Sequence, residues 1–147
     1  MTNIRISDET KDVDFEFVYS FLSGESSWAD GIGRVTQRRA IDNSLCISAF
    51  QDRKQIGFAR VITDYATFAW VDDVFVDPEA RRSGVGKLLI QTIIEHPRLN
   101  SVASWWLSSS NPNARALFKK SGFEVPEESR LAKWMGRPKT RNESYRR

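Results

Sequence analysis

The chain has 147 residues, 40% hydrophobic and 28% charged, a length and balance that fit one globular domain and exclude a disordered chain. Its 22 Lys and Arg against 19 Asp and Glu give a formal charge of +3, and a single cysteine, Cys46, excludes an intrachain disulfide and a Cys-rich zinc site. No apolar run reaches the roughly 18 to 20 residues of a membrane span. The acidic start, with Asp8, Glu9 and Asp12, is unlike a signal peptide, so a soluble cytoplasmic protein that makes no membrane contact is expected.

In chain order, Ile4 and Ile6 alternate with polar neighbours and predict a short first strand. Phe15, Val18, Tyr19 and Leu22 fall at helical offsets and predict an amphipathic helix that Ser23 and Gly24 end. A loop from Gly24 to Gly33 carries Trp28 and leads into a second helix from about Val35 to Ile41. Leu45 to Phe50, Gln55 to Ile62 and Thr67 to Val76 then read as three strands separated by polar turns, an antiparallel meander closed by Asp77 and Pro78. Cys46 lies among apolar neighbours of the first of these strands, where a buried, inert thiol is expected.

Gly84 to Glu95 places Val85, Leu88, Leu89, Thr92 and Ile93 on one helical face before Pro97. Val102 to Leu107 predicts a further strand. Asn111 and Pro112 supply an N-cap and first-turn proline for a helix that Gly122 ends, and a last strand is expected around Leu131 to Met135. The order β, α, α, β, β, β, α, β, α, β describes a mixed α/β domain. Residues 137–147 hold Arg137, Lys139, Arg141, Arg146 and Arg147 against Glu143, a local charge of +4 that leaves the rest of the chain at −1. Residues 136–147 therefore read as a basic, flexible, solvated tail after a domain covering 1–135, and nucleic acid is a poor fit because the body lacks an aromatic-interleaved basic stripe.

The most informative stretch runs from Val74 to Lys87, where a strand feeds a glycine-rich turn that opens a helix. Unpaired backbone N–H groups and the helix dipole there favour a phosphate. Spacing separates the known cradles. The dinucleotide fingerprint needs glycine where Leu89 stands, and the P-loop needs glycine at Arg81 and Ser or Thr at Leu88.

What remains, Arg81-X-X-Gly84-X-Gly86 after Val76-Asp77-Pro78, resembles the central motif of the GCN5-related N-acetyltransferase (GNAT) superfamily. Asn111, Phe118 and Gly122-Phe123 stand where that family has Asn, Tyr and Gly-Phe, and the resemblance covers roughly residues 1–135, similar to small bacterial members. It implies a GNAT fold, a mixed and mostly antiparallel sheet splayed between its fourth and fifth strands. It also implies transfer of acetyl from acetyl-CoA to a primary amine, by direct attack with no covalent enzyme intermediate and no metal.

By that resemblance, amides from Arg82 through Ser83, Gly84, Val85 and Gly86 to Lys87 hold the pyrophosphate of acetyl-CoA, with charge from Arg81 and Arg82. Val74, Phe75 and Val76 offer backbone groups to the pantetheine arm, and Asn111 and Phe118 lie at the thioester end. An attacking amine must lose a proton, and a strand carboxylate is the family's usual solution. Asp72 and Asp73 are adjacent, so alternation predicts that they face opposite sides and only one meets the substrate. Asp73 is expected to be the base or amine ligand, with Asp72, Trp28 and Tyr65 in the acceptor pocket. Phe118 departs from the usual proton-donating Tyr, which keeps open a catalytically weak acyl-CoA-binding module beside the enzyme. The paired acids favour a small cationic acceptor, a protein amine is the alternative, and the Trp105–Trp106 pair leaves a homodimer open.

Overall fold

A computed structural model describes residues 3–139 and 142–147, so Arg141 of the basic run lies outside the described residues. Five strands form one sheet in the order β1 (Ile4–Ser7), β2 (Leu45–Gln51), β3 (Lys54–Thr63), β4 (Phe68–Val76) and β5 (Ser104–Trp106). The first four pair antiparallel and β4 pairs parallel with β5. The helices are α1 (Phe15–Ser20), α2 (Arg34–Asp42), α3 (Val85–Ile94), α4 (Pro112–Lys120) and α5 (Glu128–Leu131).

The expected meander is present. Asp64 fixes its second turn by accepting from the N–H groups of Ala66 (2.9 Å), Thr67 (2.7 Å) and Phe68 (3.2 Å). On one face of the sheet, α3 buries Val85, Leu89, Ile90 and Ile93 against Ile47, Ala49, Ala59, Val61, Ala69 and Val71. On the other, α1 and α2 bury Val18 and Ile41 against Cys46, Phe58 and Phe75.

The last predicted strand does not form. Residues 128–131 are helical and the chain then turns, carrying Trp134 onto Trp106 at 4.4 Å between ring centroids. A tilted pair of indole rings with a short helix occupies the place where apolar alternation alone suggested pairing. The segment 142–147 lies against the start of α2, whose Gly33 and Val35 N–H groups donate to the Tyr145 and Arg147 main-chain oxygens at 2.8 and 2.7 Å.

Beyond their pairing with β5 at Phe68, Ala69 and Trp70, the residues of β4 run on to Val76 with no further β5 partner. The parallel strands therefore part after Trp70, which is the expected splay. The backbone groups along that edge of β4 are left to a ligand or to water.

Candidate active site

At the parting of the strands β4 carries a bulge. Phe58 pairs with Phe75 while Arg60 pairs with Asp72, so three steps along β4 match two along β3. The extra residue is Asp73, with φ of +50°, a left-handed conformation that aspartate tolerates better than most side chains.

The bulge resets the alternation. Ala69 and Val71 belong to the α3-side core, and so do Val74 and Val76, while Phe75 packs with α1 and stacks on Phe21 at 4.0 Å. Asp72 and Asp73 are thereby both left toward α1 and α2, where they meet the same arginine. The expectation that adjacent carboxylates take opposite faces is corrected here, because alternation holds only in an unbulged strand.

That arginine is Arg60 of β3. Its Nε donates to Asp73 Oδ2 at 2.7 Å, its Nη2 reaches Asp72 Oδ2 at 3.4 Å, and its Nη1 donates to Ser44 Oγ at 3.1 Å. Trp28 completes the group, its indole N–H donating to Asp73 Oδ1 at 2.7 Å. Asp73 is buried with both oxygens engaged. Asp72 is half-buried, accepts the Asp73 N–H at 2.8 Å and keeps about a third of its side chain exposed.

Two carboxylates beside one guanidinium leave a surplus negative charge. Burial first, and then the neighbouring Asp73, push the Asp72 carboxyl above its ordinary range, with Arg60 opposing. Nearby Cys46 is buried and its thiol is pushed up to about 12, so it stays neutral.

The glycine turn lies at the far end of β4. Gly84 takes φ of +84° as the N-cap of α3 and Arg82 takes +64°, which turns the chain sharply ahead of the helix. The first helical bond runs from the Leu88 N–H to the Gly84 carbonyl at 3.0 Å, so the N–H groups of Val85, Gly86 and Lys87 precede the first helical partner. Arg81, Arg82, Ser83 and Lys87 are exposed around them, with Arg81 Nε donating to the Val76 carbonyl at 3.2 Å. Free donors, a helix N-terminus and flanking cations suit a pyrophosphate, and the open edge of β4 suits an extended amide-bearing arm. The residues present therefore fit acetyl-CoA. A Cβ on Gly86 would meet Leu117 Cδ2 at 3.6 Å and Val76 Cγ2 at 3.8 Å, ordinary contacts that leave room for a methyl group between β4 and α4.

The remaining expected positions make their contacts elsewhere. Asn111 caps α4, its Oδ1 accepting from the Asn113 and Ala114 N–H groups at 2.9 and 3.2 Å. Phe118 is buried in the α3-side core, edge-on to Phe123 at 5.6 Å. Tyr65 packs on that same side beneath the Arg98 guanidinium, 3.9 Å from its ring, and does not join the carboxylates. Arg60 and Ser44 were not foreseen. An arginine inside the apolar run Gln55 to Ile62, one strand away from two aspartates, was the available signal.

Strand order, bulge, splay and a glycine-opened helix together define an acyl-CoA-type acyltransferase scaffold. The chain matches the Acetyltransferase (GNAT) family over residues 15–123 and belongs to that family. Among solved structures, a GNAT-family protein of Xanthomonas campestris pv. campestris superposes with a TM-score of 0.87 at 37% identity, covering 94% of each chain. The ribosomal-protein-S18-alanine N-acetyltransferase of Escherichia coli superposes at 0.68 with 25% identity, over 85% of this chain and 80% of that one. In sequence, the bS18-alanine N-acetyltransferase of E. coli K12 is 35% identical over 77 residues, and the match spans about half of each chain (50% and 50%). An acetyltransferase of Clostridium acetobutylicum, solved with acetyl-CoA, shares the fold at a TM-score of 0.65 and 16% identity, over 94% of this chain and 96% of that one. Among the described residues no helix is long and apolar enough to cross a membrane.

Proposed function

We propose that this protein transfers acetyl from acetyl-CoA to a primary amine, with the acid pair of β4 receiving the amine. The observation that carries the reading is the placement of Asp72 and Asp73, turned to one side by the bulge at the point where β4 leaves β5. A surplus negative charge at the start of an open strand edge attracts an ammonium and then accepts its proton.

Asp72 is the better proton acceptor. Its partial exposure leaves lone pairs free, and its raised proton affinity suits a base working near neutral pH. Asp73, tied to Trp28 and Arg60, anchors the pair and draws the amine electrostatically. Acetyl-CoA supplies an activated thioester whose carbonyl the free amine attacks. Asp72 takes the first ammonium proton and releases it to solvent; the amide N–C bond then forms as the C–S bond breaks, the nitrogen's second proton leaves through Asp72 to water, and the sulfur departs as thiolate. Unassisted departure is open to a thiol with pKa near 8.5, which accommodates a phenylalanine at position 118.

The backbone of Val74, Phe75 and Val76 holds the pantetheine arm. The amides from Arg82 to Lys87, with Arg81, hold the pyrophosphate, and Asn111 lies toward the thioester end. A small cationic amine is the first acceptor class, favoured by the uncompensated acid pair. A protein α-amine is the second, favoured by the likeness to the bS18-alanine N-acetyltransferase.

The test is free-thiol release from acetyl-CoA with polyamines, amino acids and a peptide beginning with alanine, alongside calorimetric titration with acetyl-CoA. Amine-dependent release is expected. Binding without release for every acceptor would replace the enzyme by an acyl-CoA-binding module, and absence of binding would overturn the reading of the glycine turn.

A further inference from the structure

We propose that Arg60 is a positioning residue of this site: its guanidinium holds Asp73 to Trp28 and Ser44 and leaves Asp72 as the carboxylate that exchanges the proton. The inference rests on the acid pair being the acetyl-transfer site.

The geometry assigns the two carboxylates unequal parts. The Arg60–Asp73 contact is short and dry, at 2.7 Å with side chains 13% and 5% exposed. The Arg60–Asp72 contact is longer, at 3.4 Å, and Asp72 is 32% exposed. Both Asp73 oxygens already accept from donors, one of them the charge-assisted bond from Arg60. A proton on Asp72 Oδ2 displaces only the long Arg60 contact and leaves the Asp73 N–H bond to Oδ1 and the buried pair in place.

The arrangement needs the guanidinium fork. Nε, Nη1 and Nη2 go to three different partners on β4 and at the start of β2, a span that one ammonium of lysine cannot copy. Trp28 extends the clamp to the loop between α1 and α2, so the wall of the acceptor side and the proton acceptor share one anchor. Charged and titratable groups facing the cluster are few. Asp73 lies on β4 and Arg60 on β3. Cys46 of β2 is neutral, with Asp42 at the end of α2 near it, and Arg39 of α2 lines the hollow beside Arg60 and Ser44. Arg60 is therefore the cation closest to Asp72, and Asp73 is the nearest anion.

Two substitutions should move the proton affinity of Asp72 in opposite directions. Arg60→Gln removes the favourable cation and should raise the acidic limb of the kcat/KM profile by about 1 pH unit. Asp73→Asn removes the repelling anion and should lower it. Arg60→Lys keeps the charge, so the limb should stay in place while kcat falls because Asp73 and Ser44 lose their fixed donors. A merely structural Arg60 would lower activity or stability with no movement of the limb in any variant.

Carbon-detected NMR titration of the Asp72 carboxyl in the same proteins reads the shift without turnover, so it still decides if no acceptor is acetylated. If Arg60→Gln does not fold, Asp73→Asn and Arg60→Lys carry the comparison. A limb and a carboxyl midpoint that stay fixed in whichever of Arg60→Gln and Asp73→Asn folds would overturn the proposal while leaving acetyl transfer itself standing.

Discussion

The two faces of the sheet are built on different terms. Toward α3 the strands present an apolar surface, with Leu89 and Ile93 seated on Ile47, Ala59 and Val61, and among the described residues no buried side-chain polar atom there lacks a partner. Toward α1 and α2 an aromatic cluster surrounds a charged one. Arg60, Asp72 and Asp73 share a half-buried position, and the amide of Gln37 is buried with neither its nitrogen nor its oxygen hydrogen-bonded. One face is shaped for stability, whereas the other retains polar groups whose desolvation is only partly offset. The proposed acceptor site lies on the face with the greater desolvation cost.

The sharpest way to break the comparison is Asp72→Asn. Loss of the proton acceptor should lower kcat/KM for the amine about 10²- to 10⁴-fold at neutral pH, with acetyl-CoA affinity unchanged by calorimetry. Stability should move the other way. A carboxyl raised in the folded state binds its proton more tightly there than in the unfolded chain. Its contribution is therefore most favourable below the ordinary carboxylate pKa, and it declines as pH rises to the folded value. Asp72→Asn should remove that decline and melt higher than the parent at pH 7.

On the opposite face Leu89→Ala should cost about 2–5 kcal/mol in chemical denaturation, because Leu89 is fully buried between β2 and β3 side chains. The pH profile of any remaining folded enzyme should be unaltered. A shifted acidic limb in that variant would show that the two faces are coupled.

The glycine turn gives a narrower contrast. Gly84→Ala places a Cβ at φ +84°, a strain of about 1–2 kcal/mol, and should weaken acetyl-CoA binding roughly tenfold. Gly86→Ala meets ordinary contacts at 3.6 and 3.8 Å and should bind acetyl-CoA nearly as the parent does. Equal losses in both would mean that close backbone approach at Gly86, rather than the left-handed turn, governs the site.

The smallest effect is expected from Gln37→Met. An apolar side chain of similar length removes the unpartnered amide and should stabilise the fold by about 1 kcal/mol, measured by urea denaturation. Destabilisation instead would point to an ordered water satisfying the amide.

Much of the architecture follows from local pattern. The offsets of Phe15, Val18 and Leu22, the alternating runs from Leu45 to Val76 and the Asn111-Pro112 start each report a neighbourhood of a few residues, and each element formed. The glycine turn was legible for the same reason, since φ > 0 at Gly84 is a demand on one residue. The run from Leu131 to Met135 misled because its neighbour in space, Trp106, is distant in the chain from Trp134 and pairs with it ring against ring.

The site divides along the same line. That Asp72, Asp73, Trp28 and the Arg81 to Lys87 turn are candidate site residues was visible in residue type and order. Their geometry was not, because it depends on one extra residue in the β3–β4 register, which decides whether neighbouring carboxylates diverge or converge. Arg60 was hidden for the same reason, since a strand arginine becomes part of a site only when pairing places an acid opposite it. Sequence alone determined most of the elements and marked the glycine turn as the candidate phosphate cradle. Tertiary structure decided which carboxylate is clamped and which stays partly exposed, because a bulge and an ion pair are properties of two strands together and of neither strand alone.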